Sequence, residues 1–208
     1  MNYRLFFASN NPGKQAEVAA ILGEHDLTFE TPKSLALEME VDETGKTLEE
    51  NSRIKASAWQ KRLGAEFIVM ADDTGFEIDA LGGEPGVHVR RWRDGKTRMG
   101  DDEIITYCLE RMRAVPKVER GCQLRAIVTL AFPDGTFQVV DGVMRGSVLQ
   151  EAIPQRHEGM PLASVFHIDS LGIPLGELRL LPRTQRNGFL THREKAFVAA
   201  AKKLGEIG

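Results

Sequence analysis

A chain of 208 residues, 42% hydrophobic and 27% charged, carries enough apolar side chain for one substantial core or two closely packed lobes and has the composition of a soluble globular protein. Its 27 Lys and Arg against 30 Asp and Glu give a formal charge of −3. That balance excludes broad adhesion to a nucleic-acid backbone or an anionic membrane, and leaves room for a local basic site on a small anion. Cys108 and Cys122 have neither CxxC nor metal-ligand spacing, so they read as reduced, buried thiols of a cytoplasmic protein. The apolar run over residues 5–8 is too short for a signal-peptide core or a membrane span.

In chain order, the run at 5–8 predicts a short buried strand. Ser9-Asn10-Asn11-Pro12-Gly13 is a turn that hands over to a helix at 14–22. Thr47 and Glu50 stand at capping-box spacing ahead of a longer helix that reaches residue 63. Residues 67–71 form an apolar run of strand length that ends on Asp72-Asp73, and Leu81-Gly82-Gly83-Glu84-Pro85-Gly86 is a loop. Helical periodicity over 101–115 runs through Ile104, Ile105, Cys108, Leu109 and Met112. Strand-like runs at 124–132 and 137–148 flank Pro133-Asp134-Gly135, the signal of a hairpin. A final helix covers 192–204, and there is no internal repeat. Early strand–helix alternation, a central hairpin and a terminal helix predict an α/β fold with a mixed central sheet flanked by helices, in which the hairpin region would form a second lobe.

Four stretches can carry chemistry. Ser9 to Lys14 ends a strand, turns and opens a helix, a geometry that aims N–H groups, the Ser9 and Asn11 side chains and the Lys14 charge at an anion. The plainer reading is a capped turn with Asn11 as the cap, and the Walker A spacing is absent. Asp72-Asp73-Thr74-Gly75 follows an apolar strand, where adjacent carboxylates brought together by a bend suit Mg²⁺, against the alternative of a solvated acidic turn. Glu43 precedes a helix on which Asn51 and Lys55 share a face; alone, that stretch would be an amphipathic helix with solvated charges. Thr191-His192-Arg193 opens the last helix with three donors, or with a cap and two exposed side chains. His157 and His167 lack metal-ligand spacing. Arg90-Arg91-Trp92-Arg93 is one basic cluster, either near a phosphate or a solvated surface.

In order, these segments resemble the inosine triphosphate pyrophosphatase family, which removes deaminated purine nucleotides such as ITP, dITP and XTP. The resemblance rests on Ser9, Asn11 and Lys14 for [ST]-x-N-x-x-K, on 43–56 for E-T-G-x-T-[FL]-x-E-N-[AS]-x-x-K-A, on 71–86 for A-D-D-[ST]-G-[LF]-x-[IV]-D-A-L-x-G-x-P-G, and on Thr191 to Arg193 for [ST]-H-R. It implies two lobes with an active-site cleft between them, a homodimer, and Mg²⁺-dependent attack of water that expels pyrophosphate. By motif, Ser9, Asn11, Lys14, Lys55 and Thr74 would grip the triphosphate. Glu43, Asp72 and Asp73 would hold Mg²⁺, and Asp73 would also orient or deprotonate the water.

The resemblance weakens at the base. Where the family has G-G-F-G-Y-D-P, this chain has Ala163-Ser164-Val165-Phe166-His167-Ile168-Asp169-Ser170, which retains only F-x-x-D. The lysine five residues before the histidine is replaced by Asn187, with Arg186 one residue further away. The implied base contacts are Phe166 by stacking, Asp169, Arg186, His192 and Arg193. A buried donor such as Arg186 would favour a 6-oxo group over a 6-amino group, whereas Asn187 in its place would accept either base class; a paralogue with altered specificity and a non-catalytic nucleotide binder are the alternatives.

Overall fold

The computed structural model describes residues 3–206. The elements are β1 (Arg4–Phe7), α1 (Pro12–Gly23), α2 (Leu48–Leu63), β2 (Phe67–Ile78), β3 (Pro85–Gly86), α3 (Asp101–Arg111), β4 (Gly121–Ala131), β5 (Phe137–Val148), β6 (Phe166–Ile168), β7 (Ile173–Pro174), α4 (Leu175–Leu178) and α5 (His192–Gly205). The sheet has the order β1-β2-β4-β5-β6-β7, with β3 added to β2. β1 and β2 are parallel, while β2–β3, β5–β6 and β6–β7 are antiparallel, which makes the sheet mixed as predicted. The predicted hairpin forms: Phe132 N–H donates to the Thr136 carbonyl at 3.0 Å, and Asp134 Oδ1 accepts from Thr136 N–H at 2.9 Å, so β4 turns back into β5. No helix among the described residues is long and apolar enough to cross a membrane.

The chain divides into two compact units. One comprises the chain up to Thr74, Ala126–Gly142 and the chain from His192 onward; the other comprises Gly75–Arg125 and Val143–Thr191.

In the first unit residues 67–71 of β2 are buried on both faces, which is why that run is continuously apolar instead of alternating. Ile68 and Met70 pack with Val18, Ile21 and Leu22 of α1 and Phe197 of α5. Phe67, Val69 and Ala71 point the other way and pack with Ala56 and Trp59 of α2. Each helix meets its face through residues at helical spacing, and full burial of a side chain such as Ile21 or Leu22 contributes about 1.5–3 kcal/mol. Both ends of the predicted first helix hold to within two residues, because Pro12 sits at its first turn and Asn11 Oδ1 accepts from Lys14 N–H at 3.2 Å. The capping box on α2 is complete, with Thr47 Oγ1 accepting from Glu50 N–H at 3.1 Å and Glu50 Oε2 accepting from Thr47 N–H at 3.2 Å.

The second unit is built around Phe76, Ile78, Ile104, Cys108, Met112, Cys122, Leu124 and Phe166. α3 ends at Arg111, four residues before the expected end. Pro116 holds Val115 away from helical geometry, and the buried Arg120 guanidinium donates to the carbonyls of Met112 at 2.6 Å and Val115 at 3.3 Å, so the chain beyond Arg111 has a better partner than another helical turn. The two cysteines are free and buried, and burial pushes the Cys108 thiol up to about 12, so it behaves as a small apolar side chain.

One close approach fixes the start of α5. A Cβ at Gly142 of β5 would stand 2.0 Å from the His192 carbonyl oxygen and 2.7 Å from Ala196 N, both main-chain atoms that cannot swing aside. Gly142→Ala should therefore cost about 1–3 kcal/mol and lower Tm by roughly 3–10 °C in scanning calorimetry. An unchanged Tm would show that α5 does not rest on β5 at this point.

Candidate active site

The parallel ladder between β1 and β2 ends at the Phe7–Met70 pair. Asp72 and Asp73 lie just past it, where β2 outruns its neighbour. The expectation that a bend at the strand end gathers both carboxylates on one side is corrected here: β2 stays extended to Ile78, so consecutive side chains leave on opposite faces. Asp72 continues the row of Ile68 and Met70, and Asp73 continues the row of Phe67, Val69 and Ala71.

On its own face Asp72 is 1% exposed and meets cations from two helices. Lys14 Nζ of α1 donates to Asp72 Oδ2 at 2.8 Å, and Arg193 Nε of α5 stands 3.6 Å from the same oxygen. Thr74 Oγ1 lies 3.5 Å from Asp72 Oδ2 and accepts from Arg193 Nη2 at 3.4 Å. On the opposite face Asn51 Nδ2 of α2 donates to Asp73 Oδ2 at 3.2 Å, and Thr74 N–H donates to Asp73 Oδ1 at 2.9 Å. One turn along α2, Lys55 Nζ donates to the Asp72 carbonyl at 2.9 Å and pairs with Glu43 at 2.9 Å. The i,i+4 relation of Asn51 and Lys55 thus grips two consecutive residues of β2. A hollow of about 140 Å³ beside Lys55 and Glu43 is lined also by Ser9, Asn10, Val41 and Trp59.

The first turn of α1 is held by its own side chains. Ser9 Oγ accepts from Asn11 N–H at 3.3 Å, the Ser9 carbonyl accepts from Gln15 Nε2 at 2.7 Å, and Asn11 caps the helix. Ser9 and Asn11 therefore shape the turn, and Lys14 supplies its charge.

These contacts drive the two carboxylates apart chemically. Burial alone would raise Asp72, but Lys14, Arg193 and Lys55 outweigh it and hold its carboxyl down at about 2. Burial pushes Asp73 up to about 6 against the pull of Lys55, with the Glu43 charge adding to the rise. Lys14 is lowered because burial, together with Arg193 and Lys55, exceeds the attraction of Asp72. Lys55 is raised although burial opposes it, because Asp72, Glu43 and Asp73 surround it.

Asp72 Oδ1 tests the fit of a metal. It is buried and has no hydrogen-bond partner, a costly state for a charged oxygen unless something else binds there. Among the described residues no three acidic, imidazole or thiol groups converge as a ready-made cage. Mg²⁺ does not require one, since it keeps waters and takes one or two carboxylates plus substrate phosphates. Asp72 fits that pattern through Oδ1, while Asp73 and Glu43 stand with α2 on the other face of β2. Motif reading passed over two residues of the cluster. Asn51 was visible only as a helix-face neighbour of Lys55, and Glu17, paired with Arg193 at 2.5 Å, is 176 positions away from it in the chain. The one signal in the sequence for Glu17 is its place one turn after Lys14 on α1.

The other expected base contacts are placed as follows. His192 is buried at the first position of α5, and Arg193 joins the carboxylate cluster through Glu17 and Asp72. In the second unit Phe166 is fully buried and packs edge-on against Phe76 at 6.3 Å, so its ring offers no exposed face for stacking on a base. Asp169 Oδ1 accepts from Ser147 Oγ at 2.7 Å and lies 2.9 Å from His167 Nδ1. Arg186 Nε donates to the Leu181 carbonyl at 2.9 Å. Asn187 and Gly188 both have positive φ, 48° and 76°, and Phe189 N–H closes on the Arg186 carbonyl at 2.8 Å. This Asn-Gly pair is a tight turn, which accounts for the asparagine without any ligand. Of the basic cluster, Arg90 pairs with Asp101 at 2.5 Å and Arg93 stands 3.8 Å from Glu103, both on α3, while His157 Nε2 lies 2.8 Å from the Gly176 carbonyl.

Residues 5–203 match the model of the Ham1 family. The chain belongs to the Ham1 family. It is 34% identical to a dITP/XTP pyrophosphatase of Thermus thermophilus, covering 94% of this chain and 89% of that protein. It is also 34% identical to one from Streptomyces avermitilis, covering 93% of each. Among solved structures, a HAM1 protein from Coxiella burnetii superposes with TM-score 0.81 at 26% identity, over 99% of this chain and 100% of that one. The Staphylococcus aureus Ham1 protein superposes with TM-score 0.79 at 27% identity, with the same coverage. Ham1 membership bears out the family expected from the motifs, and the mixed α/β fold agrees with it.

The buried Lys14–Asp72 pair makes this site part of the fold. Lys14→Met leaves Asp72 with less compensation and should cost about 3 kcal/mol in urea unfolding. Adding Asp72→Asn, which removes the stranded charge, should recover much of that loss. Two additive losses would mean that the pair is not coupled.

Proposed function

We propose that this Ham1-family chain is a nucleoside triphosphate pyrophosphatase that converts deaminated purine nucleotides such as ITP, dITP and XTP to the monophosphate and diphosphate, with Mg²⁺ as cofactor. The observation that carries the reading is the unpartnered Asp72 Oδ1, buried beside Lys14 and one strand position from Asp73. The names of the Thermus and Streptomyces relatives support the same reaction and substrate class.

Of the three ligands that the resemblance implies, Asp72, Glu43 and Asp73, Asp72 would hold Mg²⁺ through its open Oδ1. When bound, the ion supplies positive charge that offsets the charge growing on the departing diphosphate. Lys14 and Lys55, with the Ser9–Asn11 turn and Thr74 beside them, offer the triphosphate its remaining positive charge and its donors. Asp73, fixed by Asn51 and Thr74 N–H, orients the water that attacks the α-phosphorus and takes its proton as the bond to the diphosphate breaks. A carboxyl pushed up to about 6 is a better proton acceptor than an ordinary aspartate and is still largely ionised at neutral pH.

For the base, the resemblance supports Asp169, Arg186 and His192 as contacts. A second reading, altered base preference on the same chemistry, is favoured by the burial of Phe166 and by the engagement of Asp169 with Ser147 and His167. We place the enzyme in the cytoplasm as a homodimer, with a free nucleotide as its ligand and neither nucleic acid nor membrane as a partner.

Pyrophosphate release with Mg²⁺ across ITP, XTP, dITP, GTP, ATP, CTP and UTP tests both readings. ITP, dITP or XTP should lead the panel, and Asp73→Asn should lower the rate about 10²–10⁴-fold while Tm changes little. A different base in the lead selects the second reading. No release from any substrate by the wild type would overturn the enzyme assignment.

A further inference from the structure

Arg193 stands between two carboxylates and is committed to only one. Its Nη1 meets Glu17 Oε2 at 2.5 Å, and the two side chains are 7% and 9% exposed. Its Nη2 lies 3.4 Å from Thr74 Oγ1. Towards Asp72 it offers only Nε at 3.6 Å, beyond hydrogen-bond length, although both groups are buried. A guanidinium in a dry site facing a carboxylate normally closes a two-point fork at about 2.7–2.9 Å. Such a fork would use both Asp72 oxygens. Oδ2 already accepts from Lys14, and Oδ1 has no partner.

We propose that Glu17 is a positioning residue that draws the Arg193 guanidinium away from Asp72 and so keeps Asp72 Oδ1 open to a divalent cation. The inference rests on the reading of Asp72 as a metal ligand. Helix α1 carries both halves of the device: Lys14 grips one Asp72 oxygen, and Glu17, one turn on, restrains the cation that would otherwise cover the other. Charge points the same way. Lys14, Lys55 and Arg193 share the cluster with Glu17, Glu43, Asp72 and Asp73, and the buried Glu194 also acts on Arg193, so the cluster carries excess negative charge. Without the Glu17 charge that excess shrinks and Asp72 becomes the strongest remaining attraction on Arg193.

The test is Mn²⁺ binding, followed by the electron paramagnetic resonance signal of the free ion, to wild type, Asp72→Asn, Glu17→Gln, Arg193→Met and the double variant Glu17→Gln/Arg193→Met. Glu17→Gln should weaken Mn²⁺ binding about tenfold. The double variant, which restores the charge excess and removes the guanidinium, should return to within about threefold of wild type. If Glu17→Gln does not fold, Glu17→Asp keeps the charge on a shorter side chain and should still weaken binding, because Arg193 is then held less far back. A purely structural Glu17 would lower Tm and leave Mn²⁺ affinity unchanged. That result, or a double variant as weak as Glu17→Gln, overturns the inference alone. A wild type that binds no Mn²⁺, or an Asp72→Asn variant that binds it equally well, overturns the metal reading and the inference with it.

Discussion

A carboxylate at 1% exposure is the constraint on which the first unit depends. Taking such a charge out of water costs several kcal/mol even after relaxation, and only cations and donors brought to it offset that cost. Asp72 receives Lys14 from α1, Lys55 on its carbonyl from α2, and Arg193 from α5. Three helices separated in sequence must therefore dock correctly before this one side chain is tolerated. Hydrophobic burial of Val18, Trp59 and Phe197 drives the docking, and the buried acid adds a polar constraint to it, because a helix docked out of place leaves Asp72 without its partners.

The sheet contributes through where its strands stop. β1 ends at Phe7 and β2 continues to Ile78, so the last part of β2 lies beyond the turn that opens α1. The apolar run over 67–71 fills the space between two helical layers, and the same alternation carried two residues further presents an acid to each layer. Gly142, against which the start of α5 is pressed, holds Arg193 at the level of Asp72 from the other end of the chain.

What was legible in the sequence follows from how local each cause is. The α2 capping box, the Asn11 cap, the Pro133-Asp134-Gly135 turn and the α5 helix are decided by a few adjacent residues and were readable as patterns. The extension of β2 through Asp72, Asp73 and Gly75 was not, because charged residues and a glycine end a strand on local criteria and only the pairing of Phe76 with Gly86 on β3 prolongs it. The early end of α3 depends on Arg120, eight residues after Met112, and the Glu17–Arg193 pair depends on docking of the two ends of the chain. Phe166 was read by motif spacing as a stacking ring, and tertiary packing against Phe76 turned it inward. Asn187, open to a ligand reading from the motif, is explained by the Asn-Gly turn that it forms with Gly188. Family membership was legible because the motifs record chemistry, and the fold around them was legible only where it is local.

Adjacent aspartates on one strand would be expected to titrate alike, and these do not. Asp72 is held near 2 and Asp73 is pushed up to about 6, although burial acts on both in the same direction. The difference is the face. Asp72 looks towards Lys14 and Arg193, two full charges, whereas at Asp73 burial outweighs the pull of Lys55, the Glu43 charge repels, and the side-chain donor is the neutral Asn51 amide. Environments that drive two like groups apart give them separate tasks, one permanently ionised and the other able to exchange a proton near neutral pH. The pleat of β2 performs that separation: the one-residue alternation that packs Met70 against α1 and Ala71 against α2 makes Asp72 an anchor of the helices and leaves Asp73 the weaker acid of the two.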